Sequence, residues 1–199
     1  MLIEQVKKLS PMDRYFYFIE ERESIRLKKE AGKPKPWTDD SRLQQFRFCN
    51  IRRMDDRVSK WLYDNWYKPY YDHINMLVAC VIARHFNKRE ALGPITKYVF
   101  GKTYNPSSVL AEIQALKSKG VKVFNAAYMI HADQSADKSE MVINRVVQPL
   151  VGNLNKFIDR TCIQKSVENL LPCWNIGSFM AGQIVADLRW AIKGTWEDR

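Results

Sequence analysis

Between Leu170 and Trp190 the chain reads Leu-Leu-Pro-Cys-Trp-Asn-Ile-Gly-Ser-Phe-Met-Ala-Gly-Gln-Ile-Val-Ala-Asp-Leu-Arg-Trp, and its apolar spacing leaves room for few folds. Ahead of Pro172, the residues Ile163, Val167, Leu170 and Leu171 share one helical face. After it, Ala181, Ile184, Val185, Leu188 and Ile192 do the same. Two amphipathic helices therefore flank Asn175-Ile176-Gly177. So short a connection needs residues that accept a positive φ, and Asn and Gly accept it best. The second helix opens on small residues, and its first amides, which have no intrahelical acceptor, point outward.

Outward amides at a helix start attract anions, because unsatisfied N–H groups and the helix dipole both favour negative charge. Spanning about 163–192, the pattern has the logic of a helix-hairpin-helix clamp on a DNA backbone, with Asn175, Gly177, Ser178 and Phe179 at the contact and Arg189 further along the second helix. Asn175 stands where such hairpins carry their first glycine. A helical hairpin packed only for stability has the same periodicity. Charge favours the clamp: 32 Lys and Arg against 22 Asp and Glu leave +10 at neutral pH, a field that draws in polyanions.

The remaining composition excludes several classes. With 46% hydrophobic and 12% aromatic residues over 199 positions, the chain can bury a substantial core and is not of the disordered type. The longest apolar run, Met76 to Ala83, is far short of the roughly 20 residues that cross a bilayer, so no membrane partner is expected. Met1 to Ser10 has no signal-like character, and the expected location is the cytoplasm. Cys49, Cys80, Cys162 and Cys173 form no C-x-x-C pair, which suits reduced thiols. His73, His85 and His131 show no ligand spacing, so neither a metal nor a cofactor is implied.

Nearly everything assignable is helical, and the predicted fold class is all-α. Ser10-Pro11-Met12-Asp13 starts a helix with a capping hydroxyl, an early proline and an early carboxylate, and Gly32 ends it after about Ala31. Its first half can bury Met12, Phe16 and Ile19, while Glu20 to Glu30 makes a charged, solvated face whose Arg26, Lys28 and Lys29 can also reach a phosphate. Lys33-Pro-Lys-Pro36 is a stiff basic connector, and the chain divides there into 1–36 and a helical domain over 37–199. Thr38 can cap a short helix through about Phe46, and another begins near Asp55 with Val58, Trp61, Leu62 and Trp66 on one side. The segment Ile74 to Phe86 is the expected central buried helix. Asn105-Pro106 opens a helix carrying Val109, Leu110, Ile113 and Leu116, closed by Gly120. Val121 to Ile130 fits a short strand or an extended loop, and Ile143 to Ile158 a long helix kinked near Pro149 and Gly152.

Two further motifs bear on chemistry. Gly101-Lys102-Thr103 imitates the end of a phosphate-binding loop, but Thr96 occupies the position where the first glycine is needed and no helix follows directly, so it is a decoy. Between Arg47 and Arg57, four arginines and Asn50 lie among aromatics, a composition suited to phosphate forks beside a stacking wall. Asp55 and Asp56 can pair with some of these arginines but leave positive charge over.

The string Trp37-Thr-Asp-Asp…Arg47-Phe-Cys-Asn-Ile-Arg-Arg-x-Asp-Asp-Arg-Val58 resembles the opening signature of the alpha-glutamyl/putrescinyl thymine pyrophosphorylase family, whose helical domain also accompanies the 5-hydroxymethyluracil DNA kinases of tailed phages. Lys122-Val-Phe-Asn-Ala-Ala-Tyr128-Met-Ile130 resembles its central segment, and Ile176 to Trp190 its closing helix-hairpin-helix. The resemblance implies a helical domain related to DNA glycosylases and a role in thymine hypermodification. In that chemistry an amine, from an amino acid or a polyamine, joins the 5-methylene carbon of pyrophosphorylated 5-hydroxymethyluracil in DNA, and pyrophosphate departs. The implied partners are modified DNA, a free amine co-substrate and a 5-hydroxymethyluracil DNA kinase.

Under this reading Arg47, Arg52, Arg53 and Arg57 neutralise the departing pyrophosphate, Asn50 orients the pyrimidine edge, and Tyr128 contacts substrate. The attacking amine must lose a proton, for which Asp187, placed on the polar side of the last helix, is the first candidate, ahead of Asp56 and Asp198. Two alternatives share the scaffold. One is a noncatalytic DNA-binding module that serves a kinase. The other is a monofunctional glycosylase, since Phe179 occupies the place of a lyase's nucleophilic lysine while Glu197 and Asp198 stand about 20 residues beyond Gly177. The chain ends at Arg199, soon after the last motif, and is expected to be a shortened family member or a fragment.

Overall fold

A computed structural model describes residues 3–46, 48, 50–126, 130 and 137–197. The chain forms two compact units, 1–59 and 60–199. Among the described residues there is no strand ladder, only an isolated bridge between Cys162 and Glu197, and the fold is all-α as its periodicity predicts.

The first unit carries α1 (Ile3–Lys7), α2 (Pro11–Glu30) and α3 (Ser41–Gln45), followed by a 3-10 turn at Arg53–Asp55. The start of α2 is as expected: the Ser10 hydroxyl accepts from the Asp13 amide at 3.1 Å. Its end is too, with Gly32 at φ +67° just beyond. Which half of α2 is covered is reversed. Met12 and Phe16 are 62% and 53% exposed and Ile19 is only half-buried. In the charged half, by contrast, Ile25 is buried, and Arg26 binds Glu23 at 2.6 Å, Glu30 at 2.7 Å and Asp55 at 3.5 Å. Mutual pairing lets that charged surface be covered, so Arg26 is engaged within the protein. Lys28 is engaged as well, donating to the Trp37 carbonyl at 2.8 Å. The connector folds back, with the Trp37 indole N–H on the Lys33 carbonyl at 2.7 Å. Asp40, not Thr38, caps α3 by accepting from the Arg42 amide, and Thr38 instead accepts from the Asp40 amide.

The second unit is built around α5 (Met76–Phe86), all of whose residues are buried, Arg84 and His85 included, as expected of the central helix, whereas Ile74, expected at its start, lies outside it and is 63% exposed. Ahead of it, α4 (Arg57–Leu62) runs into a π-helical turn, Tyr63–Tyr67, that buries Trp66 and Tyr67. Then comes α6 (Arg89–Val99), a helix that Gly93-Pro94 conceals from inspection of the sequence but that buries Ala91, Leu92, Ile95 and Val99. Next is α7 (Pro106–Ser118), capped by the Asn105 side chain on the Ser108 amide at 2.9 Å and stopped at Gly120, φ +76°. Residues 121–126 form no strand, and 127–129 fall outside the described residues.

The long helix expected over 143–158 is a series of shorter pieces. Helical structure begins earlier than expected, with α8 (Lys138–Met141), and continues as a π-helical turn Val142–Val147 and a 3-10 turn Gln148–Leu150, followed by a break at Gly152 (φ +72°) and α9 (Leu154–Phe157). The break falls where Pro149 and Gly152 place it. α10 (Ile163–Leu170) and α11 (Ser178–Ala191) complete the unit, and α11 lies against α5, α10 and the Tyr63–Tyr67 turn. Ala181, Ile184, Val185, Leu188 and Ile192 are buried as predicted, whereas Leu171 lies past the end of α10 and is 44% exposed. After α11 the chain turns back so that the Thr195 and Trp196 amides share the Arg160 carbonyl, at 2.9 and 3.1 Å. No described helix is long and apolar enough to cross a membrane.

Candidate nucleic-acid interface

The turn between α10 and α11 is closed from within. The Cys173 amide donates to Leu170 at 3.0 Å and the Ile176 amide to Cys173 at 3.1 Å, while the Ile176 side chain is buried beneath. Asn175 takes the left-handed conformation at φ +59°, as the short connection requires. Gly177 does not: it is extended at φ −79°, ψ 174°, and a Cβ there would meet no atom within 4 Å. Its absent side chain leaves open surface. Gly177, Ser178 and Phe179 are all exposed, and α11 makes its first return bond from the Ala181 amide to the Gly177 carbonyl at 2.9 Å. The first residues of α11, Ser178 and Phe179, thus stand on an exposed ledge with the positive end of a 14-residue helix behind them.

A buried base supports this ledge. His85, near the end of α5, has Nδ1 2.8 Å from the Val81 carbonyl. Burial lowers its pKa, against the opposing pull of the Val81 and Asn175 carbonyls, so the ring stays neutral beneath the turn.

Asp187 is not on the polar side of α11. It is fully buried, gripped by Arg84 through Nε at 2.5 Å and Nη2 at 2.6 Å, and accepts the Tyr67 hydroxyl at 2.7 Å. The buried arc of α11 is wider than its apolar positions indicate, because α5, α10 and the Tyr63–Tyr67 turn all pack against it and Arg84 of α5 supplies a counter-charge inside. Burial, and then the Asp187 charge, push the Tyr67 hydroxyl well above its usual pKa, so it remains a donor. The sequence held a sign of this arrangement: Arg84 is a cation in a predominantly apolar helix and needs a carboxylate partner.

Each of the remaining expected site residues has its own local surroundings. Arg52 reaches back to Glu23 at 2.8 Å, and Glu23 is held down to about 2, first by its hydrogen bond with Arg26. Arg53 is half-buried, and Arg57 and Asn50 are exposed. The Asp56 carboxylate accepts the Ser59 amide at 2.7 Å, which makes it a cap for α4. Arg189 is exposed but stands eleven residues beyond Ser178, roughly 16 Å along α11. Arg47, Tyr128 and Asp198 lie outside the described residues. Gly101-Lys102-Thr103 forms bends, and the next helix begins only at Pro106. Two cations near the turn were missed: Arg145, 5.6 Å from the centre of the Trp174 ring, and Lys156, whose charge acts on the Cys173 thiol. The first unit separately contains a cleft of about 290 Å³, where Phe18, Leu43 and Phe48 meet Tyr17, Asp40 and Arg42.

A family model described as "5-hmdU DNA kinase, helical domain" matches residues 10–199. The chain belongs to this family. A curated relative, the 5-hmdU DNA kinase of Bacillus phage SP10, is 26% identical over 196 residues, covering 88% of this chain and 30% of the relative. The chain therefore spans about 30% of that kinase's length. No solved structure matches. The resemblance drawn from Trp37 to Trp190 thus falls on the kinase-associated helical domain.

Proposed function

We propose that this chain is a DNA-binding helical domain of thymine hypermodification, which grips DNA containing 5-hydroxymethyluracil through the exposed turn Asn175 to Phe179. The observation that carries the reading is the ledge itself: an extended glycine, an exposed Ser178 and the opening amides of α11, mounted on a fully buried α5. Those amides and the helix dipole suit a backbone phosphate, and Arg189 serves a more distant one. Family membership and the likeness to a phage 5-hmdU DNA kinase support the identity of the DNA. The scaffold is read as related to helix-hairpin-helix glycosylases, and a kinase is the natural partner for a domain that presents the modified base.

Amine transfer is the second reading. Its support is the arginine-rich segment, in which Arg57 is exposed and Arg52 is 64% exposed despite its pairing. The C5-methylene–oxygen bond would break as a carbon–nitrogen bond forms, pyrophosphate would leave toward Arg47, Arg52, Arg53 and Arg57, and a base would take the amine proton. Asp187, sealed by Arg84 and Tyr67, is poorly placed for that, so Asp56 and Asp198 become the better candidates.

The test is incubation with pyrophosphorylated 5-hydroxymethyluracil DNA and a panel of amines, with binding measured alongside nucleoside mass spectrometry. Salt-sensitive binding without a new nucleoside supports the gripping domain. A new nucleoside supports the transferase, and absence of DNA binding contradicts both.

A further inference from the structure

Beside the ledge lies a surface that gripping a backbone does not require. Trp174 is 39% exposed and Phe179 62%, only five positions apart around the turn. The Arg145 guanidinium lies over the Trp174 ring, 5.6 Å from its centre, and fixes the indole in place. Arg145 comes from the Val142–Val147 turn, whose flanking Val142, Ile143, Val146 and Val147 are buried, so the cation is mounted on rigid structure. Lys156, from α9, is exposed and lies near Cys173. A cation from a second element thus lies over an aromatic presented by the turn, and one from a third acts on the neighbouring Cys173. Aromatic faces among cations are how proteins hold unstacked nucleobases without reading their sequence.

We infer that Trp174, braced by Arg145, is a stacking platform for an unpaired base next to the gripped strand, which makes this surface selective for locally opened DNA over fully paired duplex. The inference rests on the proposed DNA grip, but its test is separable. A duplex held only by its backbone needs no ring. A base displaced from the stack gains one face from Trp174, while Arg145 and Lys156 neutralise the adjoining phosphates.

The experiment compares the affinity of the full chain for a paired duplex and for the same duplex with a single unpaired thymine. Wild-type protein is expected to prefer the unpaired thymine. Trp174→Ala should lower affinity for that probe about tenfold and leave the paired duplex unchanged, while Trp174→Phe keeps most of the preference. Arg145→Gln should also reduce the preference and make the salt dependence shallower by about one phosphate contact. Thermal melting of each variant excludes a folding defect. Equal wild-type affinity for the two probes, or an equal loss on both in Trp174→Ala, overturns the platform and leaves the grip intact. Failure to bind either probe overturns both.

Discussion

At the residue scale, Asp187 shows how a carboxylate's role depends on what surrounds it. Its isolation in α11 is visible in the sequence, but its burial is not, because the compensating Arg84 lies over a hundred residues away, 103 by position. Removing one member of a buried ion pair strands the other, so Asp187→Ala should cost about 3–5 kcal/mol of stability in urea unfolding. A residue acting only as a general base would lose turnover with its stability unchanged. Two glycines should behave oppositely. At Gly194 an added Cβ would approach the Arg160 carbonyl to 2.6 Å, so Gly194→Ala is expected to destabilise by about 1–3 kcal/mol. At Gly177 the Cβ meets nothing, and Gly177→Ala should stay within about 0.5 kcal/mol of wild type. Asn175 was legible because only a left-handed residue closes so short a connection. The conformation of Gly177 was not, since glycine is compatible with almost any backbone.

At the scale of elements, helices with explicit start and stop chemistry were readable. Ser10 with Gly32 delimits α2, and Asn105 with Gly120 delimits α7. α6 was hidden because Pro94 reads as a breaker, although its apolar spacing continues through it. The π-helical turns at Tyr63–Tyr67 and Val142–Val147 carry no distinct composition, so the long helix expected after Ile143 could not be resolved into its pieces. The contact between α5 and the turn should respond to pH. Burial lowers the folded-state pKa of His85 below the ordinary 6.5, so between the two values the unfolded chain binds more protons. Stability from the neutral ring is therefore complete above about pH 6.5 and declines as pH falls toward the folded value. His85→Gln should flatten that part of a stability-versus-pH curve, and an unchanged slope would contradict the assignment.

For the whole molecule, the all-α class followed from periodicity, and the net charge of +10 pointed to a polyanion. Charge alone does not say where the polyanion sits. The exposed ledge of α11 offers a place for it, and the apolar stretch around Met76 to Phe86 explains why that ledge has a firm mounting. What the sequence concealed was mostly pairing between distant segments, such as Arg52 with Glu23 and Arg84 with Asp187, which local spacing cannot report. Because phosphate neutralisation releases counterions, DNA affinity should fall linearly on a log–log plot against salt, by roughly 0.9 for each phosphate contacted.

If the start of α11 holds a DNA phosphate, Ser178→Glu is the substitution that should disrupt it. A carboxylate in the first helical turn favours folding through the helix dipole, yet it repels a phosphate held by the same amides. The expected result is a melting temperature equal to or above wild type together with roughly tenfold weaker DNA binding in equilibrium titrations. Unchanged affinity in a folded Ser178→Glu protein would contradict the claim.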